Sequence, residues 1–207
     1  MKEEQDYIRN LADIRSMMER SSKFMSLSGW AGIMAGIYAL AGAWIAWKVF
    51  DFNPAETVYN VESETFPAAL GNLVFLALLI LILSLSTAVF LSIKRAEKKG
   101  ENVWNPIAKR LLINLAVPLV AGGLLILILI GKGLIGLIAP CTLLFYGLAL
   151  YNASKFTYEE VRTLGLIQVA LGIISAWFVD YALLFWALGF GVVHIIYGIY
   201  MHYRYER

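Results

Sequence analysis

Apolar residues run on in six long stretches, and the charged residues gather in the gaps between them. The stretches cover about 24–49, 67–93, 107–130, 134–151, 158–178 and 182–203. A helix needs about 20 apolar residues to cross the hydrocarbon core of a bilayer, so each stretch predicts a membrane-spanning α-helix. The second is long enough to tilt or to project beyond the core. The runs are continuous and do not alternate, which excludes a β-barrel. Ahead of them, Tyr7, Leu11, Ile14 and Met18 recur at steps of four, three and four, with Ile8 and Met17 alongside. That spacing places them on one helical face. It predicts an amphipathic helix within residues 1–23, lying on the cytoplasmic membrane surface or against cytoplasmic loops. The predicted fold is all-α and polytopic, with residues 1–23 as the amphipathic helix and 24–207 as a six-helix transmembrane domain.

Two connections are tight: Gly131-Lys132-Gly133 and Val179-Asp180-Tyr181. Short links make antiparallel neighbours, so the spans are expected as three hairpins, one–two, three–four and five–six. Thr157-Tyr158-Glu159-Glu160 has the form of a capping box and predicts the start of the fifth helix. Pro118 and Pro140 are expected to kink the third and fourth helices. Trp44, Trp47 and Trp177 read as anchors at one membrane surface, and Trp104 as an anchor at the other.

Charge fixes the expected orientation. Lys2, Arg9, Arg15, Arg20 and Lys23 precede the first span, and Lys94, Arg95, Lys98, Lys99, Lys109 and Arg110 lie between the second and third. Lys155, Arg162, Arg204 and Arg207 fall on the same side of a six-span chain. The opposite side has Lys48, Lys132 and an acidic loop with Asp51, Glu56, Glu62 and Glu64. Lysine and arginine favour the cytoplasmic side, so both termini are expected in the cytoplasm, with the chain in the bacterial inner membrane. The leading residues are charged and carry no short apolar core, so the segment from Phe24 is read as a retained span, not a cleaved leader.

The hairpins share a signature. Gly123 is followed by Tyr146-Gly147, and Gly172 by Tyr197-Gly198; the first span carries a looser Gly36-Ile37-Tyr38. Glycine lets helices approach closely, and tyrosine suits the headgroup level. A repeated hairpin is therefore expected, with Gly32, Gly36, Gly147 and Gly198 as helix-packing positions. Leu171-Gly172-Ile173 and Tyr197-Gly198-Ile199 resemble the short-repeat membrane proteins of the HdeD-like family over spans three to six. The whole chain is similar to six-span bacterial membrane proteins. Neither resemblance implies catalytic residues, and the amphipathic helix and acidic loop depart from the short-repeat pattern.

Composition agrees with the pattern: 60% of the 207 residues are hydrophobic, 15% are charged, and the mean hydropathy is +0.70. A net charge of +2 gives no bias toward nucleic acid. The single cysteine, Cys141, cannot form an internal disulfide.

Polar residues inside apolar helices need a reason. They are Asn72, Asn114, Gln168 and His194, with Ser84, Ser86, Ser175, Thr87 and Thr142. Asn114, Gln168 and His194 fall in the cytoplasmic half, about 8–12 Å from the helix ends at a rise of 1.5 Å per residue. They form either a polar cluster lining a small cavity or interhelical hydrogen bonds within a packed bundle. His194 and His202 are the two histidines; a catalytic zinc needs about three protein ligands, and no HExxH occurs. His194 also carries the alternative of a pH-sensing group. No GxSxG, P-loop or mid-membrane carboxylate is present. No cofactor is expected.

These features imply a non-enzymatic integral membrane protein: a partner-binding, stress-related or regulatory helical module. It would dock a cytoplasmic protein through 1–23 and 94–110, or form a homo-oligomer. The alternative is a small transporter or channel for a neutral or weakly polar solute, passing the Asn114–Gln168–His194 cluster. An enzyme acting on lipid lacks a recognisable nucleophile or metal set.

Overall fold

The computed structural model describes residues 24, 27–54, 66–98, 100 and 104–207. The helix expected within 1–23 and most of the acidic loop lie outside the described residues. Among the described residues every regular element is helical. Five long helices come first: α1 (Gly29–Lys48), α2 (Phe66–Lys98), α3 (Pro106–Gly131), α4 (Ile138–Ala153) and α5 (Glu160–Trp177). The last span is composite: α6 (Ala182–Trp186), a π-helical segment over Ala187–Val193, and α7 (His194–Tyr205). Short 3₁₀ turns at Ile135–Leu137, Ser154–Phe156 and Val179–Tyr181 lead into or out of α4, α5 and α6. Among the described residues six spans are long and apolar enough to cross a membrane, and the chain is a multi-pass membrane protein by that measure.

Local chemistry explains the helix ends. Asn105 caps α3, its side chain accepting from the Ala108 N–H at 2.8 Å, and Pro106 occupies the first helical position, where a missing N–H costs nothing. The turn after α3 closes on Gly133 at φ 73°, in the left-handed region that glycine enters freely. Pro118 lies inside α3, but Pro140 falls in the first turn of α4. It starts that helix where a kink was expected, because first-turn amides have no partner within the helix in any case. The capping box at Thr157 does not form. The Thr157 hydroxyl donates to Phe24 O at 2.8 Å, and the Phe24 N–H donates to Phe156 O at 2.7 Å. These two bonds pin the chain ahead of α1 to the α4–α5 connection, where Phe24 packs with Ala108, Leu111 and Ala153.

Small residues set the helix contacts. A Cβ placed on Gly147 would lie 2.6 Å from Gly165 O, and one on Gly165 would lie 2.8 Å from Gly147 O. The backbones of α4 and α5 therefore touch, and this is the most extensive helix pair. On the other side α1 packs along α7: a Cβ on Gly198 would lie 2.5 Å from Gly29 O, and one on Gly32 would lie 3.2 Å from Gly198 Cα. Gly36 faces Gly191 O in the π-helical segment. In α3 it is Gly122, against Phe145, that makes the close approach, while Gly123 has nothing within 4 Å. The last span meets α5 through its first half and α1 mainly through its second. α2 packs against α1 and has none of its apolar window buried. Phe75, Ile82, Val117 and Leu127 are 60–69% exposed, a surface suited to lipid and not to water.

Candidate functional site: a buried polar cluster and a terminal clasp

The π-helical segment lies where the last span faces α5. Widening a helix from i+4 to i+5 bonding is rare and recurs at functional sites. Here it accompanies a carbonyl that takes side-chain donors from inside the bundle. Gln168 Nε2 donates to Gly189 O at 2.8 Å, and His194 Nδ1 lies 2.9 Å from the same oxygen. A carbonyl offers only acceptance, so Nδ1 carries the proton. Nε2 is then bare and accepts from the Tyr146 hydroxyl at 2.9 Å. Gln168 Nε2 approaches Nδ1 to 3.3 Å as a second donor on the shared oxygen. Gly189 lets these side chains come close, since a Cβ there would lie 2.6 Å from Gln168 Oε1 and 2.5 Å from Leu143 Cδ2, and both would have to shift. Phe190 stacks on the imidazole with centroids 5.8 Å apart. Gln168 is 0% exposed and His194 5%.

Of the three residues expected together, the structure unites two. Asn114 donates to Arg110 O of its own helix at 2.9 Å. It sits on α3, which packs on α4 and away from the last span, so its amide closes on the nearest carbonyl. Tyr146 takes the third place. It was expected at headgroup level; its hydroxyl instead points inward to His194, because a phenol this deep needs a hydrogen-bond partner. The sequence reading placed Tyr146 in the hairpin signature and not in the cluster, and it did not single out Gly189. The Gly189-Phe190-Gly191 run inside an apolar span was the available signal.

The second polar assembly ties the ends of four spans. Arg95, near the end of α2, donates to Leu27 O, to Glu206 Oε1 at 2.5 Å, to Tyr205 O at 2.9 Å and to the Tyr158 hydroxyl at 3.4 Å. Glu206 Oε1 also accepts the Gly29 N–H at 2.7 Å, so the Glu206 side chain caps the start of α1. Its other oxygen lies 2.7 Å from His202 Nδ1. Tyr205 donates to Glu160 Oε1 at 2.8 Å, and Arg204 lies 3.2 Å from the same oxygen. Partial burial of Glu206 acts to raise its pKa. The bonds from His202, Gly29 and Ser28 and the Arg95 charge outweigh it and hold the carboxyl below the usual range.

Among the described residues no three histidine, cysteine, aspartate or glutamate side chains stand close enough to hold a metal. An open groove of about 470 Å³ between α1 and α2 is lined by Trp30, Met34, Ser86, Thr87, Phe90 and Leu91. No family model, curated protein or solved structure matches the chain.

The cluster has an expected energetic signature. His194→Leu strands the Tyr146 hydroxyl and frees one of the two donors' claims on Gly189 O. The expected cost is about 1–3 kcal/mol, the penalty for an unsatisfied buried group, read as a lower unfolding midpoint in detergent. Gln168→Met removes the unpartnered Oε1 together with the amide N–H and should cost less.

Proposed function

We propose that this chain is a non-enzymatic helical membrane module that acts by docking a cytoplasmic partner in a regulatory or stress-related setting. One observation carries the reading. Gln168 and His194, the groups a solute-transport site would offer, are buried and bonded to Tyr146 and Gly189 within the bundle. The polar groups left to a partner lie at the end that holds the C-terminus. α2 continues helical to Lys98, with Lys94 and Lys98 exposed while Arg95 is held in the clasp and Ala96 is buried. The docking surface comprises 94–110, through Lys94 and Lys98 and not Arg95, together with residues 1–23. The charge pattern supports both termini in the cytoplasm and the chain in the bacterial inner membrane. The two Tyr-Gly pairs support the repeated hairpin and the HdeD-like resemblance, since each glycine makes a backbone-close contact with a neighbouring helix. A homo-oligomer would use a face other than the Gly32–Gly36 ridge, which α7 occupies.

The test has two arms in membrane vesicles. With Cys141→Ser as background, Gln168→Cys and His194→Cys are exposed to a membrane-impermeant thiol reagent from either side. No labelling is expected; labelling would favour the solute transporter. In parallel, capture on the intact chain should recover a protein that is lost when Lys94, Lys98, Lys109 and Arg110 are changed to glutamine. Recovery that is indifferent to those four changes would count against docking at 94–110.

A further inference from the structure

α1 and α2 are tied together at two levels and leave a gap between them. Deep in the pair, a Cβ on Gly42 would strike the Ile80 side chain, and the Tyr38 hydroxyl lies 3.3 Å from Thr87 Oγ1. At the end that holds the C-terminus, Arg95 of α2 donates to Leu27 O just ahead of α1. The groove of about 470 Å³ occupies the interval. Trp30 lines it from α1 and Phe90 from α2, 49% and 55% exposed, and Ser86 and Thr87 stand at its inner end.

The α2 face that lines the groove continues into cations. Thr87, Leu91, Lys94 and Lys98 recur at steps of four, three and four, which is one face of a helix. Lys94 Nζ lies 4.5 Å from the centroid of the Phe90 ring, so the ammonium stands at the rim of the groove. Lys98 follows one turn further out, about 6 Å along the axis. Both lysines are exposed, and among the described residues neither is paired with a carboxylate. Arg95 is held by Glu206, and Glu97 lies about a quarter-turn off the stripe. On the α1 side Trp30 sits at the same end, edge-on to His202 with ring centroids 5.5 Å apart. Tryptophan favours the headgroup level.

We infer that the groove is a binding site for one anionic glycerophospholipid, with an acyl chain between Trp30 and Phe90 and the phosphate on Lys94 and Lys98. The slot is apolar along its length and fits a chain, while basic groups between spans at one membrane surface take acidic headgroups. A zwitterionic lipid fits the slot equally but brings a cation of its own, which the two lysines repel. A second copy of this chain fits worse. Two copies in one membrane share their orientation, and a two-fold pair joined through this face sets the same residues opposite each other. Lys94 and Lys98 would then meet their own kind, and like charges set against each other oppose association. The site goes beyond partner docking but shares Lys94 and Lys98 with it; Ser86, inside the groove, separates the two.

The test is native mass spectrometry of the full chain in detergent micelles, supplied with dioleoyl phosphatidylglycerol or with dioleoyl phosphatidylcholine. One phosphatidylglycerol should stay bound per chain, at an apparent affinity roughly tenfold above that of phosphatidylcholine, since each lysine near a headgroup adds several-fold. Lys94→Gln with Lys98→Gln should bring the two lipids level. Lys109→Gln with Arg110→Gln removes as much charge elsewhere and should change nothing. Ser86→Phe fills the inner end of the groove from an exposed position and should weaken both lipids several-fold. It leaves both lysines in place, so a partner docked at 94–110 is still captured and the two readings can fail separately. Soluble glycerophosphoglycerol in excess should not displace the lipid; displacement would mean a phosphate site without an acyl slot and would overturn the inference. Equal retention of the two lipids by the parent would mean annular lipid only and would overturn it too. So would retention that falls alike in both double variants, or a dimer in place of the lipid adduct.

Discussion

Gly147→Val should abolish most of the folded, monodisperse protein in mild detergent, while Gly123→Val should match the parent. The two glycines lie in the same kind of apolar run and belong to the same hairpin signature, and of the two only Gly147 was expected to pack a neighbouring helix. The structure separates them. A Cβ on Gly147 would meet Gly165 O at 2.6 Å and Val169 N at 2.7 Å, whereas one on Gly123 would meet nothing within 4 Å. The atoms in the way at Gly147 are backbone, so no rotamer change relieves the clash and α4 and α5 must separate. Overpacking a core by small increments costs about 1–3 kcal/mol. A valine against backbone should cost at least the upper part of that range, and total stabilities are commonly only about 5–15 kcal/mol. Gly165→Val should act like Gly147→Val, because the contact is reciprocal. In membranes there is little hydrophobic drive between helices, so close packing carries a large share of association. Size-exclusion profiles and unfolding midpoints of the four proteins decide the matter. Equal behaviour of the Gly147 and Gly123 variants would mean that this packing does not hold the bundle together.

The spans were legible in the sequence to within a few residues at most ends, because twenty apolar residues leave the chain little choice in a bilayer. Gln168 and His194 were legible as a pair for a related reason: polar groups at that depth must find each other or a carbonyl. What was not legible depends on which faces meet. Asn114 has the same character and depth as Gln168, but α3 packs on α4 and away from the last span, so its amide bonds its own helix. Tyr146 looked like an interfacial residue until the direction of its ring was fixed by His194. The π-helical segment has no compositional rule behind it; Gly189 and Gly191 permit it, and the Gly189 carbonyl accepts from Gln168 and His194 across it. The Thr157 capping box failed for a tertiary reason as well. Its hydroxyl found Phe24 O, 133 residues away in sequence, in place of its own helix. Local rules predicted the elements, and long-range contacts chose among the local options.

Arg95→Met should destabilise the protein strongly, and Glu206→Gln should both weaken it and flatten its stability at acid pH. Arg95 and Glu206 have side chains only 11% and 12% exposed, so this pair is closer to a buried ion pair than to a surface one. Breaking a buried pair by removing one partner costs roughly 3–5 kcal/mol. The lower part of that range is expected here, because the pair lies at the end of the bundle and Glu206 keeps the Gly29 N–H and His202. Arg95→Met removes more than a charge, since Leu27 O, Tyr205 O and the Tyr158 hydroxyl each lose a donor from α2. That helix has little else to hold it beyond α1. The sign of the pH effect follows from the carboxyl. Its pKa in the folded protein lies below its value in the unfolded chain, so its contribution is complete at neutral pH. It declines as the pH falls through the carboxylate range, because a proton on Glu206 cancels its pairing with Arg95. Thermal unfolding midpoints of the parent should therefore fall on acidification by more than those of Glu206→Gln. Parallel curves would mean that the carboxylate at the start of α1 contributes nothing to holding the first and last spans together.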